Sequence, residues 1–152
     1  MKLAEALMLR ADMKKRIEQL KQRLMRNAKV QEGEKPAEDP QSLLDEVEKL
    51  SEELVNLIQK INKTNSATVI DGGFTVADAI ARRDILVLKH SMYRELAQAA
   101  TILPDVRTKS EIKFKGTVSV TGIQEKADAA AKAHREIDTK IQEMNWRTDL
   151  LE

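Results

Sequence analysis

Apolar residues recur along most of the chain at alternating spacings of three and four positions. This spacing places the apolar side chains on one face of a helix, and it is typical of helices that pack against a partner helix. Four segments carry the pattern: 3–28, 40–61, 75–101 and 122–147. The pattern predicts a mainly α protein of four long helices, arranged as antiparallel coiled-coil hairpins.

The first two helices are predicted to form one hairpin over residues 3–61. A polar loop with Gly33 and Pro36 separates them, and Asp39 followed by Pro40 is typical of a helix start. Helices joined by such a short loop fold back antiparallel. The predicted contact line of the first helix is Leu3, Ala6, Met13, Ile17, Leu20 and Leu24, and that of the second is Leu43, Val47, Leu50, Leu54, Leu57 and Ile61.

The third and fourth helices each carry a contact line and a starting motif. Thr75 with Asp78, and Thr121 with Gln124, have the spacing of capping boxes. The predicted line of the third helix is Ala81, Ile85, Leu88, Met92, Leu96 and Ala99. That of the fourth is Ile123, Ala127, Ala130, His134, Ile137, Ile141 and Met144.

Two stretches between the helices have a different pattern. The connecting segment 62–74 is polar, with a possible strand over 67–70 and a turn at Asp71-Gly72-Gly73. In the segment 111–120 apolar and polar residues alternate, which predicts a strand. This strand needs a partner: segment 67–70, its own second half as a hairpin, or another subunit. Together with the helices, the two stretches are predicted to form a single helical domain over 1–152.

Charge supports the first hairpin. Residues 1–29 hold nine Lys or Arg and three Asp or Glu, whereas residues 30–65 hold four and nine. A basic helix opposite an acidic one favours pairing across the hairpin, although each exposed pair contributes only about 0.2–1 kcal/mol. The alternative is that the basic helix binds nucleic acid phosphates, but no aromatic stacking platform accompanies the charge, so nucleic acid is not the expected partner.

The composition favours a protein that remains in the cytoplasm. The chain contains no cysteine, which excludes disulfides, thiol catalysis and zinc–thiolate sites. Glu5, Arg10 and Asp12 interrupt the apolar stretch that a signal peptide needs. No window reaches the roughly 18 uncharged residues of a membrane span, so we expect no membrane partner.

Polar clusters supply the candidate ligand-binding residues. Arg83, His90 and Arg94 fall near one face of the third helix, where they could hold an anion. Structural ion pairs would leave the same pattern. Asn62, Thr64 and Asn65 form a second polar cluster at the end of the second helix.

A metal site has weaker support. His134 and Asp138 stand one helical turn apart and could share a metal ion, but at least one more ligand would be needed. A hydrogen-bonded histidine that sets helix register is the better interpretation of His134. We therefore expect neither a metal nor another cofactor.

The sequence carries no Ser-His-Asp order, P-loop or dinucleotide fingerprint, so a catalytic role is not favoured. Two thin hairpins bury little surface, and stacking several copies would complete their cores. The leading hypothesis is a self-associating helical scaffold or interaction protein, and the alternative is a binder of an unknown small molecule or anion. The candidate interface and structural residues are Ile112, Phe114, Val118 and Trp146.

Several short stretches resemble an uncharacterised bacterial family that often carries the label septicolysin. They are Asn62 to Asn65, Asp71-Gly72, Arg83-Asp84 through His90, Ser110 to Lys113, Asp138 to Ile141, and Asn145-Trp146 ahead of Leu150. The resemblance implies no established activity, cofactor or catalytic residue. The label implies a pore-forming toxin, but no alternating strand is long enough for a membrane hairpin and the most regular contact line is rich in alanine.

Overall fold

The computed structural model describes residues 1–102 and 113–152. Within them the chain forms α1 (Leu3–Arg26), α2 (Pro40–Ala67), α3 (Val76–Ala100) and α4 (Val120–Arg147). Two short strands, β1 (Val69–Ile70) and β2 (Phe74–Thr75), form a small antiparallel sheet between α2 and α3. The prediction of a mainly α protein with a small β element is confirmed.

The chain divides into two compact units. The first comprises Met1–Val69 and Glu143–Glu152, and the second comprises Ile70–Gln142. The last five residues of α4 belong to the first unit and the rest of its length to the second. The prediction that the whole chain is one helical domain stays a prediction.

The first unit is built on the hairpin of α1 and α2. Arg16 pairs with Glu46, and Arg23, further along α1, pairs with the earlier Glu38. Because the partners run in opposite directions, the helices are antiparallel, as the sequence predicts. Both predicted contact lines are buried or half-buried, with a core of Leu3, Ala6, Met13, Leu57 and Ile61. Supercoiling of the pair into a coiled coil stays a prediction.

Helix α2 extends six residues beyond its predicted end, so the prediction of an irregular segment from residue 62 is wrong. The reason lies at Thr64, which is fully buried at the next core-facing position after Ile61. The Thr64 hydroxyl donates a hydrogen bond to the carbonyl of Lys60 at 2.7 Å, and the backbone amide of Thr68 donates to the carbonyl of Thr64 at 2.9 Å. The polar stretch 62–67 therefore stays helical because Thr64 continues the buried face of α2.

The last residues of the chain lie against both helices of the hairpin, which the sequence pattern did not indicate. The amide of Leu3 donates to the carbonyl of Thr148, and the amide of Leu150 donates to the carbonyl of Met1, both at 2.9 Å. The amide of Leu151 donates to the Thr64 hydroxyl at 2.9 Å. The first two of these bonds give partners to backbone groups at the start of α1 that would otherwise have none.

The second unit contains the β-hairpin from Ile70 onward, α3 and most of α4. The hairpin turn has positive φ at Gly72 (88°) and Gly73 (85°), a conformation that favours glycine. Thr75 and Asp78 then form the predicted capping box of α3: the Asp78 amide donates to the Thr75 hydroxyl at 3.1 Å and the Thr75 amide to the Asp78 carboxylate at 3.0 Å. The hairpin and the first turn of α3 are therefore fixed by local chemistry.

The predicted strand over 111–120 is wrong for the residues that the structure describes. Residues 113–119 are irregular, and α4 begins at Val120, two residues before its predicted start. Ser119 takes the capping role predicted for Thr121, since its hydroxyl accepts a hydrogen bond from the Gly122 amide at 3.1 Å. Of the three partners considered for it, segment 67–70 contains β1, which pairs with β2.

Candidate functional site

Helix α3 packs within its unit through one heptad-spaced line of residues, here called the inner face. Its members are buried or half-buried: Val76, Ala79, Arg83, Leu86, His90, Tyr93, Ala97 and Ala100. Arg83 contacts Asp138 of α4, and His90 and Arg94 line a hollow together with Gln124 and Asp128 of α4. The later residue of α3 thus meets the earlier residues of α4, so the two helices are antiparallel, as predicted.

The line predicted to be the core of α3 lies on the opposite side and is exposed. This outer face consists of Ala81, Ile85, Leu88, Met92, Leu96 and Ala99. The exposed fractions of its large side chains are 51% for Ile85, 65% for Leu88, 52% for Met92 and 38% for Leu96. At 3.6 residues per turn the two faces are about 140° apart around the helix. The predicted contact line of α3 is therefore not buried by the described residues.

Complementary side chains on α4 account for the burial of the inner face of α3 rather than the outer one. The inner face carries Arg83, His90 and Tyr93, and the Arg83 guanidinium lies 3.0 Å from the Asp138 carboxylate. On the helix opposite, Ala127 and Ala130 are buried, and such small side chains leave room for larger ones to approach. The outer face is purely apolar, so leaving it uncovered in water is unfavourable. Large exposed apolar patches are common at protein–protein interaction sites.

The polar residues predicted to bind an anion on α3 are only partly brought together. His90 and Arg94 line the same hollow of about 310 Å³ on the inner side of the helix. Arg83 is engaged separately: its Nη1 donates to Asp138 Oδ1 at 3.0 Å, and its Nε lies 3.6 Å from Asp84. The structural ion pair considered as the alternative is therefore present at Arg83.

The second predicted cluster lies in the first unit. Asn62 is exposed, Thr64 is buried with its hydroxyl engaged, and Asn65 is half-buried. The Oδ1 atoms of Asn65 and of Asn145, which is 4% exposed, are buried and have no hydrogen-bond partner among the described residues. A buried acceptor without a partner costs about 1–3 kcal/mol, so these two oxygens are the polar atoms of this unit most in need of a donor.

The metal candidates His134 and Asp138 are both half-buried on α4. Asp138 is held by Arg83. In the two described stretches no three His, Asp or Glu side chains gather closely enough to hold a metal ion.

The residues predicted to form an interface fall outside the buried core. Phe114, Val118 and Trp146 are exposed, and Ile112 lies outside the described residues. Trp146 belongs to the first unit, whereas Phe114 and Val118 belong to the second. No helix in the described part of the chain is both long and apolar enough to cross a membrane.

The structure therefore defines an α-helical protein with an exposed apolar helix face on α3. Residues 10–150 match the Family of unknown function (DUF6847), so the chain belongs to that family. The crystal structure of a functionally unknown conserved protein from Corynebacterium diphtheriae is similar, with a TM-score of 0.93, 44% identity and 99% coverage of each chain. No functionally curated protein matches the chain. The resemblance to an uncharacterised family is confirmed, and none of these findings supports the septicolysin label.

Proposed function

We propose that this protein is a cytoplasmic helical scaffold or interaction protein that self-associates through the outer face of α3. The observation that carries the proposal is the exposure of Ile85, Leu88 and Met92 in a heptad-spaced line. Heptad spacing is the pattern of a helix that packs against another helix. In the described part of the chain, this helix-packing surface thus stays largely exposed.

Burial of the outer face would supply part of the free energy of association. Covering each of the four large outer-face side chains contributes about 1–2 kcal/mol, since each is already partly shielded. Two copies therefore supply on the order of 8–16 kcal/mol, against an association cost of about 4–15 kcal/mol. The gain and the cost are of the same size, and a second copy presents the same apolar face, so that a symmetric pair would cover both faces at once.

The two alternative functions are less well supported. Arg83, central to the anion-binding alternative, already has Asp138 as its partner. Arg16 and Arg23, two cations of the nucleic-acid alternative, pair with Glu46 and Glu38. Nucleic-acid binding by α1 stays a prediction. So does the binding of a small molecule or anion by the polar residues Asn62, Thr64, Asn65, Arg83, His90 and Arg94.

The test is sedimentation velocity over about 1–200 µM on the wild type and on a variant with Leu88→Glu and Met92→Glu. We expect a concentration-dependent dimer in the wild type and a folded monomer in the variant, because a charge at each position opposes its burial. The control is Met25→Glu on α1, which is also an exposed methionine; it should dimerise like the wild type. A wild type that is monomeric throughout this range would contradict self-association, and a variant that remains dimeric would exclude the outer face.

A further inference from the structure

The second unit contains an open groove of about 730 Å³ between the β-hairpin, α3 and α4. Its volume lies within the range of about 300–1,000 Å³ that is usual for small-molecule sites. The floor is apolar and is contributed by all three elements. Its main members are Ile70, Phe74, Ile85, Leu86, Ala133 and Ile137.

Three cationic side chains line the same groove: Arg82 and Lys89 on α3, and Lys140 on α4. Within residues 1–102 and 113–152, none of the three has a carboxylate oxygen within 4.0 Å. Two acidic residues, Asp71 and Glu136, also line the groove, which leaves it a net charge of +1. The excess charge is positive and is not used by ion pairs in the described structure.

The hairpin holds one of these cations in place. The Arg82 guanidinium lies 3.8 Å from the centroid of the Phe74 ring, a cation–π contact. This contact fixes the side chain but leaves its N–H groups available, because a π face does not satisfy them as a carboxylate would. The neighbouring residue Arg83 contacts Asp138 on α4, so Arg82 and Lys140 lie at similar levels along the two helices. Two of the three cations therefore lie near the hairpin end of the groove, where Asp71 of the hairpin turn is also part of the lining.

From this combination we infer that the groove binds a small amphiphilic anion, with its hydrocarbon part on the apolar floor and its single anionic group near Arg82 and Lys140. Arginine binds a carboxylate or phosphate with two parallel hydrogen bonds, and lysine adds a point charge. A purely apolar ligand would leave the cations unused, and a fully hydrophilic anion would leave the floor uncovered. The inference concerns a site within one chain and does not depend on self-association.

The groove shares Ala81 and Ile85 with the outer face of α3. Leu88 and Met92, where the proposed dimer would be disrupted, do not line it. The monomeric variant with Leu88→Glu and Met92→Glu can therefore be used to separate ligand binding from dimerisation.

The experiment is isothermal titration calorimetry with dodecanoate below its micelle concentration, with dodecyltrimethylammonium as the matched cationic amphiphile. We expect dodecanoate to bind once per chain and at least about tenfold more tightly than the cationic amphiphile, a difference of about 1.4 kcal/mol. The variant with Arg82→Gln and Lys140→Gln should weaken dodecanoate at least about tenfold and abolish the preference. The control variant with Lys126→Gln and Lys132→Gln, two exposed positions on α4, should bind like the wild type.

Each opposite outcome overturns the inference. Equal affinity for the two amphiphiles would show that the cations play no part, and unchanged binding after Arg82→Gln and Lys140→Gln would exclude the proposed anion position. Binding by the wild type but not by the variant with Leu88→Glu and Met92→Glu would contradict a site within one chain. Wild-type circular dichroism for every variant is the condition for the comparison, and Arg82→Lys, which keeps the charge, serves as the second test if Arg82→Gln unfolds.

Discussion

Arg83 on α3 and Asp138 on α4 form an ion pair with 3.0 Å between Nη1 and Oδ1. From the sequence, Arg83 was a candidate anion ligand and Asp138 a weak candidate metal ligand. The structure makes each the partner of the other, with 26% and 37% of their side chains exposed. The pair joins the two helices of the second unit across their polar inner line.

We predict that Arg83→Ala destabilises the protein by about 1–2 kcal/mol, since it removes the ion pair and the packing of the half-buried stem. Asp138→Asn should have a smaller effect, because the amide oxygen still accepts a hydrogen bond. Urea denaturation of both single variants and the double variant measures the coupling energy. Strictly additive effects would show that the pair contributes no interaction energy.

The outer face of α3 predicts a melting temperature that depends on protein concentration. Dimerisation stabilises the folded state by mass action, so the wild-type melting temperature should rise as concentration increases. The variant with Leu88→Glu and Met92→Glu should melt at one temperature over the same range, whereas Met25→Glu should behave as the wild type does. Calorimetry over about a hundredfold range of concentration provides the measurement, and a wild-type melting temperature independent of concentration would argue against the proposed dimer.

We predict that removing the hydroxyl of Thr64 destabilises the folded protein. Thr64→Val keeps the shape but leaves the Leu151 amide without its 2.9 Å acceptor, so we expect a destabilisation of about 1–3 kcal/mol. Thr64→Ser keeps the hydroxyl and loses one methyl group, at a cost of about 1 kcal/mol. Chemical denaturation distinguishes the two. If Thr64→Ser proves the more damaging change, packing rather than the hydrogen bond holds the C-terminal segment.

We expect the protein to lose stability in acid, because Asp39 and Asp78 cap the starts of α2 and α3. Hydrogen bonds from Ser42 and from the Gln41 amide lower the pKa of Asp39, and hydrogen bonds from the amide and hydroxyl of Thr75 lower the pKa of Asp78. A carboxylate whose folded-state pKa is lowered stabilises the fold above its unfolded pKa of about 3.9, and that stabilisation disappears as pH falls through the folded-state value. Denaturation midpoints measured from about pH 5 to about pH 2.5 should fall less steeply with both Asp39→Asn and Asp78→Asn than in the wild type.

Replacing Gly73 should destabilise the protein through backbone strain, without a clash between side chains. Its φ is +85°, and a Cβ added there would meet nothing within 4 Å. Gly73→Ala should therefore cost about 1–2 kcal/mol through backbone strain alone, and Gly73→Asn should cost less because asparagine tolerates this region better. Thermal unfolding of the two variants checks the order. Equal stability of Gly73→Ala and the wild type would mean that the turn adopts another conformation.

The sequence by itself determined the features that rest on local chemistry. Heptad spacing fixed the four helices and both contact lines of the first hairpin, Asp39-Pro40 marked the start of α2, and Thr75 with Asp78 marked the start of α3. These predictions succeeded because capping and helical periodicity involve residues within one or two turns of each other. The end of α2 escaped prediction because Thr64 is held by Leu151, which is 87 residues distant in the chain.

Only the tertiary structure decided which face of α3 the chain buries. Helix α3 carries two heptad-spaced lines, and hydrophobicity alone favours the outer face with Ile85, Leu88 and Met92. The fold instead buries the more polar inner face, where Arg83 meets Asp138 and the alanines of α4 leave room. Periodicity shows that a helix has a packing face, but the choice between two such faces depends on complementary side chains supplied by a distant segment. The structure thereby leaves the more apolar face available for the second copy that we propose.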